Sequence, residues 1–230
     1  MYSVLLPTYN ESENIQILVY LLRDTFDEMS EAYELIIVDD GSTDGTIKKI
    51  KHLEPYFPIK FIQRKEKLGL GSAYKEALKN ISHESEFIVI MDADLSHDPK
   101  AIKDMAIAIK EADVVVATRY TLGGIVGWNF KRKMISRGAN NLAQIITGVE
   151  VTDLTNSYRM YRRNVLENLE ISSNGFSFQM EAIVRAYKKK YKIMEVPIIF
   201  HERKSGKSKM GIIEIIRFIQ SLIVLFFVTG

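Results

Sequence analysis

The chain has 230 residues, a formal net charge of +2 and an apolar fraction of 47%. That length fits one domain with at most a small appendage, and it is enough to bury a sizeable core. The near-neutral charge announces no nucleic-acid partner, and the absence of cysteine excludes disulfides, thiolate zinc sites and a cysteine nucleophile.

The opening run Met1-Tyr2-Ser3-Val4-Leu5-Leu6-Pro7 carries no basic leader and reads as a first strand, not as a signal peptide. Apolar runs bounded by turn residues predict strands at roughly 2–7, 33–39, 58–64, 86–92 and 113–118. Between them, helical periodicity predicts helices at roughly 11–29, 44–54, 70–81 and 99–111. Asn10 with Glu13 is expected to form a capping box, and Asp98-Pro99 to supply an N-cap and a first-turn proline. Such alternation implies an α/β fold, a mostly parallel sheet with helices on both faces. Ligands of such sheets bind outside the carboxyl ends of the strands. Segments 7–11, 39–45 and 92–97 each follow a strand and are therefore expected to gather there.

Past residue 120 the pattern changes. Segment 121–129, with Gly123, Gly124 and Gly127, reads as a loop, and a basic helix with Lys131, Arg132, Lys133 and Arg137 follows. A helix at roughly 176–190, a strand at 192–200, a basic loop at 203–209 and an apolar terminal helix complete the chain. The second half thus reads as an elaboration of the same domain.

Asp92-Ala93-Asp94 comes directly after the apolar run Phe87-Ile88-Val89-Ile90-Met91. Side chains at i and i+2 point the same way as a strand ends, so two carboxylates converge. Paired hard oxygens suit Mg²⁺ or Mn²⁺ and, through the ion, the phosphates of a nucleotide sugar. The competing reading is a turn capped by Asp94. Asp39-Asp40-Gly41-Ser42 ends the second predicted strand, where a carboxylate can accept from a base or ribose; there the alternative is helix capping by Ser42 or Thr43. A nicotinamide-binding fold needs a glycine-rich turn after strand one, and this chain has Pro7-Thr8-Tyr9-Asn10-Glu11 instead. Gly69-Leu70-Gly71 opens a helix and reads as a structural turn more readily than as a phosphate cradle. The four histidines lack metal-ligand spacing, and His97 and His201 are read as surface or loop residues.

Taken in order, Pro7-Thr8-Tyr9-Asn10-Glu11, Asp39-Asp40-Gly41-Ser42, Leu68-Gly69-Leu70-Gly71 and Asp92-Ala93-Asp94-Leu95-Ser96-His97 resemble a family 2 glycosyltransferase of GT-A (Rossmann-like) fold. Thr118-Arg119-Tyr120, 131–140, Asp153-Leu154-Thr155-Asn156-Ser157-Tyr158-Arg159, Phe178-Gln179-Met180-Glu181 and 203–209 are similar to the dolichyl-phosphate mannosyltransferase branch, in its short form without a transmembrane domain.

The resemblance implies a catalytic domain over 1–209, with a nucleotide-sugar half at 1–120 and an acceptor-side half at 121–209. It implies transfer of mannose from GDP-mannose to dolichyl or polyprenyl phosphate, with inversion to a β-linked product. Pro7, Tyr9, Glu11, Val38, Asp39, Asp40 and Ala93 would hold the donor, together with Arg119, Arg203 and Lys209. Asp92 and Asp94 would bind Mg²⁺ or Mn²⁺ and the pyrophosphate, with Ser96 standing where some relatives have a glutamine ligand. Asp92, Asp94 and Arg119 form the implied catalytic set, and Arg119, Arg132, Ser136 and Arg203 would meet the acceptor phosphate. Because that nucleophile is already anionic, no strong general base is needed. Glu181 is a reserve candidate for acceptor positioning, weighed against a solvated helix residue. Asn156-Ser157 departs from the glycine-containing version common in the family, so a stiffer loop is expected there.

Residues 210–230 read as an amphipathic, membrane-associating helix. Its apolar run is shorter than the about 20 residues that span a bilayer, and the basic loop precedes it. An ordinary core helix is the alternative. The implied location is the cytoplasmic face of a membrane: the endoplasmic reticulum in a eukaryote, the plasma membrane in a prokaryote. Small membrane-protein subunits are possible partners in this branch. The rival functions are transfer of glucose or N-acetylglucosamine from a UDP-sugar to the same lipid class, and nucleotide-sugar binding without turnover.

Overall fold

The computed structural model describes residues 1–122 and 124–202; Arg203, Lys209 and the apolar segment 210–230 lie outside the described residues. In chain order the elements are β1 (Tyr2–Thr8), α1 (Ile15–Met29), β2 (Tyr33–Asp39), α2 (Thr46–Leu53), β3 (Ile59–Gln63), α3 (Leu70–Leu78), β4 (Phe87–Ile90), α4 (Ala101–Ala108) and β5 (Val114–Thr118). They continue with β6 (Gly124–Val126), α5 (Phe130–Thr147), β7 (Arg159–Arg162), α6 (Arg163–Glu167), α7 (Ser177–Lys188), β8 (Ile193–Pro197) and β9 (Ile199–His201).

Seven strands form one sheet in the order β3-β2-β1-β4-β7-β5-β8, and β6 pairs with β9 in a small parallel ribbon. The pairs β3·β2, β2·β1, β1·β4 and β5·β8 are parallel. Only β7 runs the other way, antiparallel to both β4 and β5. The second half of the chain supplies β7 and β8 to the same sheet.

Central strands with helices on both faces must be apolar on both sides. β5 is buried throughout, and β1 and β2 nearly so, whereas the edge strand β3 is half exposed. Side chains alternate between two cores. Leu5, Ile36, Ile88, Ile90, Val114 and Val116 enter the one shared with α3 and α7, while Val4, Leu6, Leu35, Ile37, Val89 and Val115 meet α1 and α4 on the other face. Helix α1 buries Ile15, Leu18, Val19, Leu22 and Phe26, the stripe that a 3.6-residue period brings to one face.

The structure corrects several expectations. Helix α1 starts at Ile15, not at 11, because Asn10 adopts a left-handed φ of 57° and its side-chain oxygen accepts from the Thr43 backbone N–H. No capping box forms. Ser42 and Thr43 do not cap α2, whose N-cap is Gly45; Ser42 bonds Asp39 instead. The 121–129 loop contains β6, and the strand expected at 192–200 divides into β8 and β9. β7 and α6 had no counterpart in the sequence reading.

Gly69 and Gly71 fit as structural glycines. A Cβ on Gly71 would lie 2.7 Å from the Ser173 carbonyl oxygen, and one on Gly69 2.6 Å from that of Asn174. Ser72 N–H donates to the same Asn174 oxygen at 3.0 Å, locking the start of α3 to the 172–175 segment. Backbone cannot yield as a flexible side chain can, so Gly71→Ala is expected to destabilise by about 1–3 kcal/mol. Thermal unfolding should show a drop of about 2–4 °C per kcal/mol at this size.

Candidate active site

At the carboxyl end of β1 and β2, the first cluster is a hydrogen-bonded knot. Thr8 Oγ1 donates to Asp39 Oδ2 at 2.9 Å, Ser42 N donates to Oδ1 at 2.8 Å, and Ser42 Oγ donates to Oδ2 at 2.6 Å. Asp39 is fully buried, so its carboxylate joins the two strand ends. Its neighbour Asp40 accepts from Arg64 Nε at 2.6 Å, and Arg64 Nη1 donates to Ser72 Oγ at 2.6 Å. Burial pushes the Asp40 carboxyl above its ordinary value, and Arg64 offsets only part of that. Tyr9 is 37% exposed, with the Lys67 ammonium 4.4 Å from its ring centre. Glu11 accepts from Asn14 Nδ2 at 2.8 Å, while Pro7 is half-buried and Val38 is buried in the core.

The second cluster follows β4. Asp92 is half-buried, and Ala93, Asp94, Ser96 and His97 are buried. Leu95, at φ 61°, folds the segment back, so that Ser96 N donates to Asp94 Oδ1 at 3.0 Å and Ser96 Oγ to the same oxygen at 2.5 Å. The turn closed by Asp94 is therefore real. Ser96 holds the Asp94 carboxylate through both its N–H and its hydroxyl. His97, expected at the surface, is 1% exposed: its Nδ1 accepts from Asp92 N at 3.1 Å, and Nε2 meets Asn156 Oδ1 at 3.0 Å. His201 is exposed, as expected. Among the described residues, no group of three or more His, Asp and Glu side chains gathers into a metal cage. Asp92 and Asp94 nevertheless suit Mg²⁺ or Mn²⁺, ions commonly held by one or two carboxylates with phosphate and water completing the shell.

Arg119, one residue past β5, is the third feature. Its Nε donates to Asp153 Oδ2 at 2.6 Å and its Nη2 to Asp153 Oδ1 at 2.7 Å, with a further bond from Nη2 to Thr155 Oγ1 at 2.9 Å. Nη1 makes no hydrogen bond among the described residues. Burial pulls the guanidinium down, but the Asp153 charge and hydrogen bonds outweigh it and Asp92 adds to them, so the group is held more firmly charged than usual. Tyr120, Trp128 and Phe200 place ring centres 5.2–5.5 Å from it.

Arg132 and Ser136 lie on α5. Arg132 stacks 4.0 Å above the Trp128 ring and its Nη1 donates to Glu202 at 2.9 Å; Ser136 Oγ is 2.6 Å from the Tyr120 hydroxyl. The structure thus brings Asp92, Asp94 and Arg119 to one sheet edge, with Ser136 reaching it through Tyr120. Sequence reasoning assigned no role to Asp153, Asn140, Asn156 or Arg64. One usable signal existed: an arginine at a buried strand end needs a carboxylate partner, and Asp153 lies within the quoted motifs.

Glu181 is not a solvated helix residue. It is 2% exposed and accepts from Ser172 N, Ser172 Oγ and Ser173 N at 2.9 Å each, and from Arg185 Nε at 2.7 Å. Burial alone would raise its carboxyl, but the serine and arginine donors bring it down to about 2.

With this geometry in view, comparison with known proteins gives the class. Residues 3–170 match the model of Glycosyl transferase family 2, and the chain belongs to that family of enzymes. It is 36% identical over 212 residues to the dolichol-phosphate mannosyltransferase of Pyrococcus furiosus, covering 90% of this chain and 58% of that one. It is 36% identical to the polyprenol monophosphomannose synthase of Mycolicibacterium smegmatis and 35% identical to the undecaprenyl-phosphate mannosyltransferase of Micrococcus luteus, covering 80% and 86% of those chains. The fold is shared with glucosyl-3-phosphoglycerate synthase from Mycobacterium tuberculosis, solved with Mn²⁺ and uridine-diphosphate (TM-score 0.70, 16% identity, 97% of this chain and 77% of that one). It is shared too with S. aureus TarS in complex with UDP-GlcNAc (TM-score 0.63, 22% identity, 97% and 66%). The expected GT-A architecture is therefore present.

Two outcomes follow from the buried charges. Removing one partner of a buried ion pair typically costs about 3–5 kcal/mol, so Asp153→Ala and Arg119→Met should each destabilise strongly in urea unfolding. The double variant should lose clearly less than the sum; strict additivity would mean that the pair is not coupled. For Glu181, the depressed carboxyl stabilises the fold above its ordinary value of about 4.3, and this is lost as pH falls towards about 2. The Tm gap between wild type and Glu181→Gln should be widest near neutral pH and narrow on acidification.

Proposed function

We propose that this protein transfers mannose from GDP-mannose to a polyprenyl phosphate such as dolichyl phosphate, with inversion and with the help of Mg²⁺ or Mn²⁺. The observation that carries this reading is the placement of Asp92 and Asp94 at the same end of the sheet as a buried, firmly charged Arg119, in a chain 35–36% identical to mannosyltransferases named for dolichol, polyprenol and undecaprenyl phosphate.

Asp92 and Asp94 would hold the metal, which when bound neutralises charge on the departing nucleoside diphosphate. Tyr9 offers an exposed ring against which the base can stack, and Asp40, held by Arg64, an acceptor at the same strand ends. Arg119, already oriented by Asp153, can turn Nη1 towards an acceptor phosphate without first paying to order its side chain. Arg132 and Ser136 lie on the acceptor side, and Arg203 and Lys209 complete the proposed phosphate contacts. No side chain is required to deprotonate the nucleophile, since a phosphate oxygen is already anionic near neutral pH.

A lipid acceptor calls for approach to a membrane. Among the described residues no helix is long and apolar enough to cross one. Helix α5 instead exposes Phe130, Met134 and Ile145 beside Lys131 and Arg137, and Leu122 stands exposed in the preceding loop. Apolar anchors among basic residues are the composition of an interfacial helix. Peripheral attachment to the cytoplasmic leaflet, through α5 and segment 210–230, is part of this proposal, as is recruitment of small membrane subunits.

The decisive experiment is a donor screen with polyprenyl phosphate in liposomes, comparing GDP-mannose with UDP-glucose and UDP-N-acetylglucosamine. Mannolipid should form with added Mn²⁺ or Mg²⁺ and stop with chelator. Preference for a UDP-sugar would replace the donor assignment, and chelator-resistant transfer would remove the metal. Failure of every donor would leave a nucleotide-sugar-binding protein.

A further inference from the structure

The turn 153–158 makes contacts that the proposed chemistry does not by itself require. Asn156 is 2% exposed, and its side chain is used at both ends: Nδ2 donates to the Ala117 carbonyl at 2.7 Å, and Oδ1 faces His97 Nε2 at 3.0 Å. His97 Nδ1 accepts from the Asp92 backbone N–H at 3.1 Å. An N–H donor requires a bare Nδ1, so the ring proton lies on Nε2, where Asn156 Oδ1 accepts it. Both bonds are satisfied together when Nδ1 is bare and Nε2 carries the proton. Its ring is pinned by Tyr158, stacked at 4.9 Å, and by Phe200, edge-on at 5.6 Å; Tyr158 is itself anchored through its hydroxyl to the Asp98 carbonyl at 3.0 Å.

The location gives these bonds their meaning. β4 ends at Ile90, and its last backbone bond to β1 runs from Met91 N to Leu5 O at 3.4 Å. Beyond that point the sheet no longer positions the chain, and the Asp92 N–H passes to His97. On the other side, Asn156 N donates to Asp153 Oδ1 at 3.2 Å, the carboxylate that clamps Arg119. One amide side chain therefore ties the backbone of Asp92 to the end of β5, and its own backbone is tied to the partner of Arg119.

We propose that Asn156, acting through the His97 ring, is the positioning residue that fixes Asp92 relative to Arg119 in the reacting complex. This rests on the roles given to Asp92 and Arg119 under the proposed function. Neither residue touches substrate; both set the backbone from which the Asp92 carboxylate projects. Supporting residues of this kind typically change metal affinity or activity by about 10–100-fold when replaced.

Three variants separate the links. Asn156→Ser is too short to reach both partners. His97→Gln can reach Asn156 but withdraws the acceptor at the Nδ1 position. His97→Asn keeps an oxygen where Nδ1 was and so keeps the Asp92 N–H bonded. Amide and histidine ¹⁵N NMR of the metal-free full chain should show a protected Asp92 amide and a single Nε2-protonated tautomer of His97. Protection should be lost in Asn156→Ser and His97→Gln and kept in His97→Asn. Below the melting temperature of each variant, kcat should fall about 10–100-fold in the first two, with His97→Asn recovering most of it. A purely structural role would lower Tm and leave kcat unchanged. Asn156→Ser and His97→Gln with wild-type kcat, or a His97→Asn no better than His97→Gln, overturns the proposal. If wild type transfers no sugar at all, the functional reading falls separately, and Mn²⁺-dependent GDP affinity in the same variants decides the positioning role by the same ordering.

Discussion

The antiparallel insertion of β7 between β4 and β5 is the constraint on which the rest of the site depends. Arg159, its first residue, pairs with Ile90 on one side and Val116 on the other, near the carboxyl ends of both neighbours. A parallel strand in that place would bring its carboxyl end to the site and leave its leading turn at the opposite edge. Running in reverse, β7 delivers the 153–158 turn to the edge where Asp92 and Arg119 emerge. The usual rule for parallel sheets, ligands beyond the carboxyl ends, is thereby supplemented by a polar turn arriving from the opposite direction.

What that turn carries is dictated by electrostatics. Arg119 is 7% exposed and Asp153 wholly buried, so neither ion could persist there alone. Paired through two short bonds, they form a charge already desolvated and oriented before any ligand arrives, the condition under which a cation stabilises developing negative charge most effectively. Arg132 contrasts with it. Its side chain is 26% exposed and its partner Glu202 45%, so that pair is solvent-screened. The buried pair is held in one geometry; the half-exposed one is not. Arg159 is buried too, with Nη2 donating to Leu154 O at 2.7 Å and Nη1 to the Gln179 carbonyl. It props the turn from below with backbone dipoles in place of a carboxylate.

The fold was legible wherever burial imposes a period. β1, β2, β4 and β5 read as apolar runs because parallel strands are covered on both faces, and their positions agree with the structure to within a few residues. β7 was not legible, because Arg-Met-Tyr-Arg has four residues, two of them cationic, and its burial depends on partners distant in sequence. The start of α1 failed for a related reason: Asn10 has local capping chemistry, but its side chain is claimed by Thr43, 33 residues away. At the site, the residues that project from strand ends were visible as motifs. Asp153, Asn156 and His97, which hold them, stand in the same motifs, but their holding role was not legible, since it lies in which group each one meets across the fold. His97 in particular has no spacing that announces an imidazole buried against a backbone N–H.

Helix α5 joins these levels. Its inner face buries Ser136, Asn140 and Ala143, and Asn140 Oδ1 accepts from Leu154 N at 2.8 Å and from Thr155 N at 3.2 Å. Asn140 Nδ2 donates back to the Ser136 carbonyl at 2.9 Å, so the amide is fixed on both sides. The outer face of the same helix carries the exposed Phe130, Met134 and Ile145. A displacement of α5 that broke the Asn140 bonds would leave the buried Leu154 N–H and the partly buried Thr155 N–H unpaired, at a cost of about 1–3 kcal/mol for the buried one. The Asn140 bonds therefore couple the helix to the 153–156 turn. A surface that meets its surroundings through α5 is mechanically continuous with Asp153 and Arg119, and through Asn156 and His97 with the backbone of Asp92.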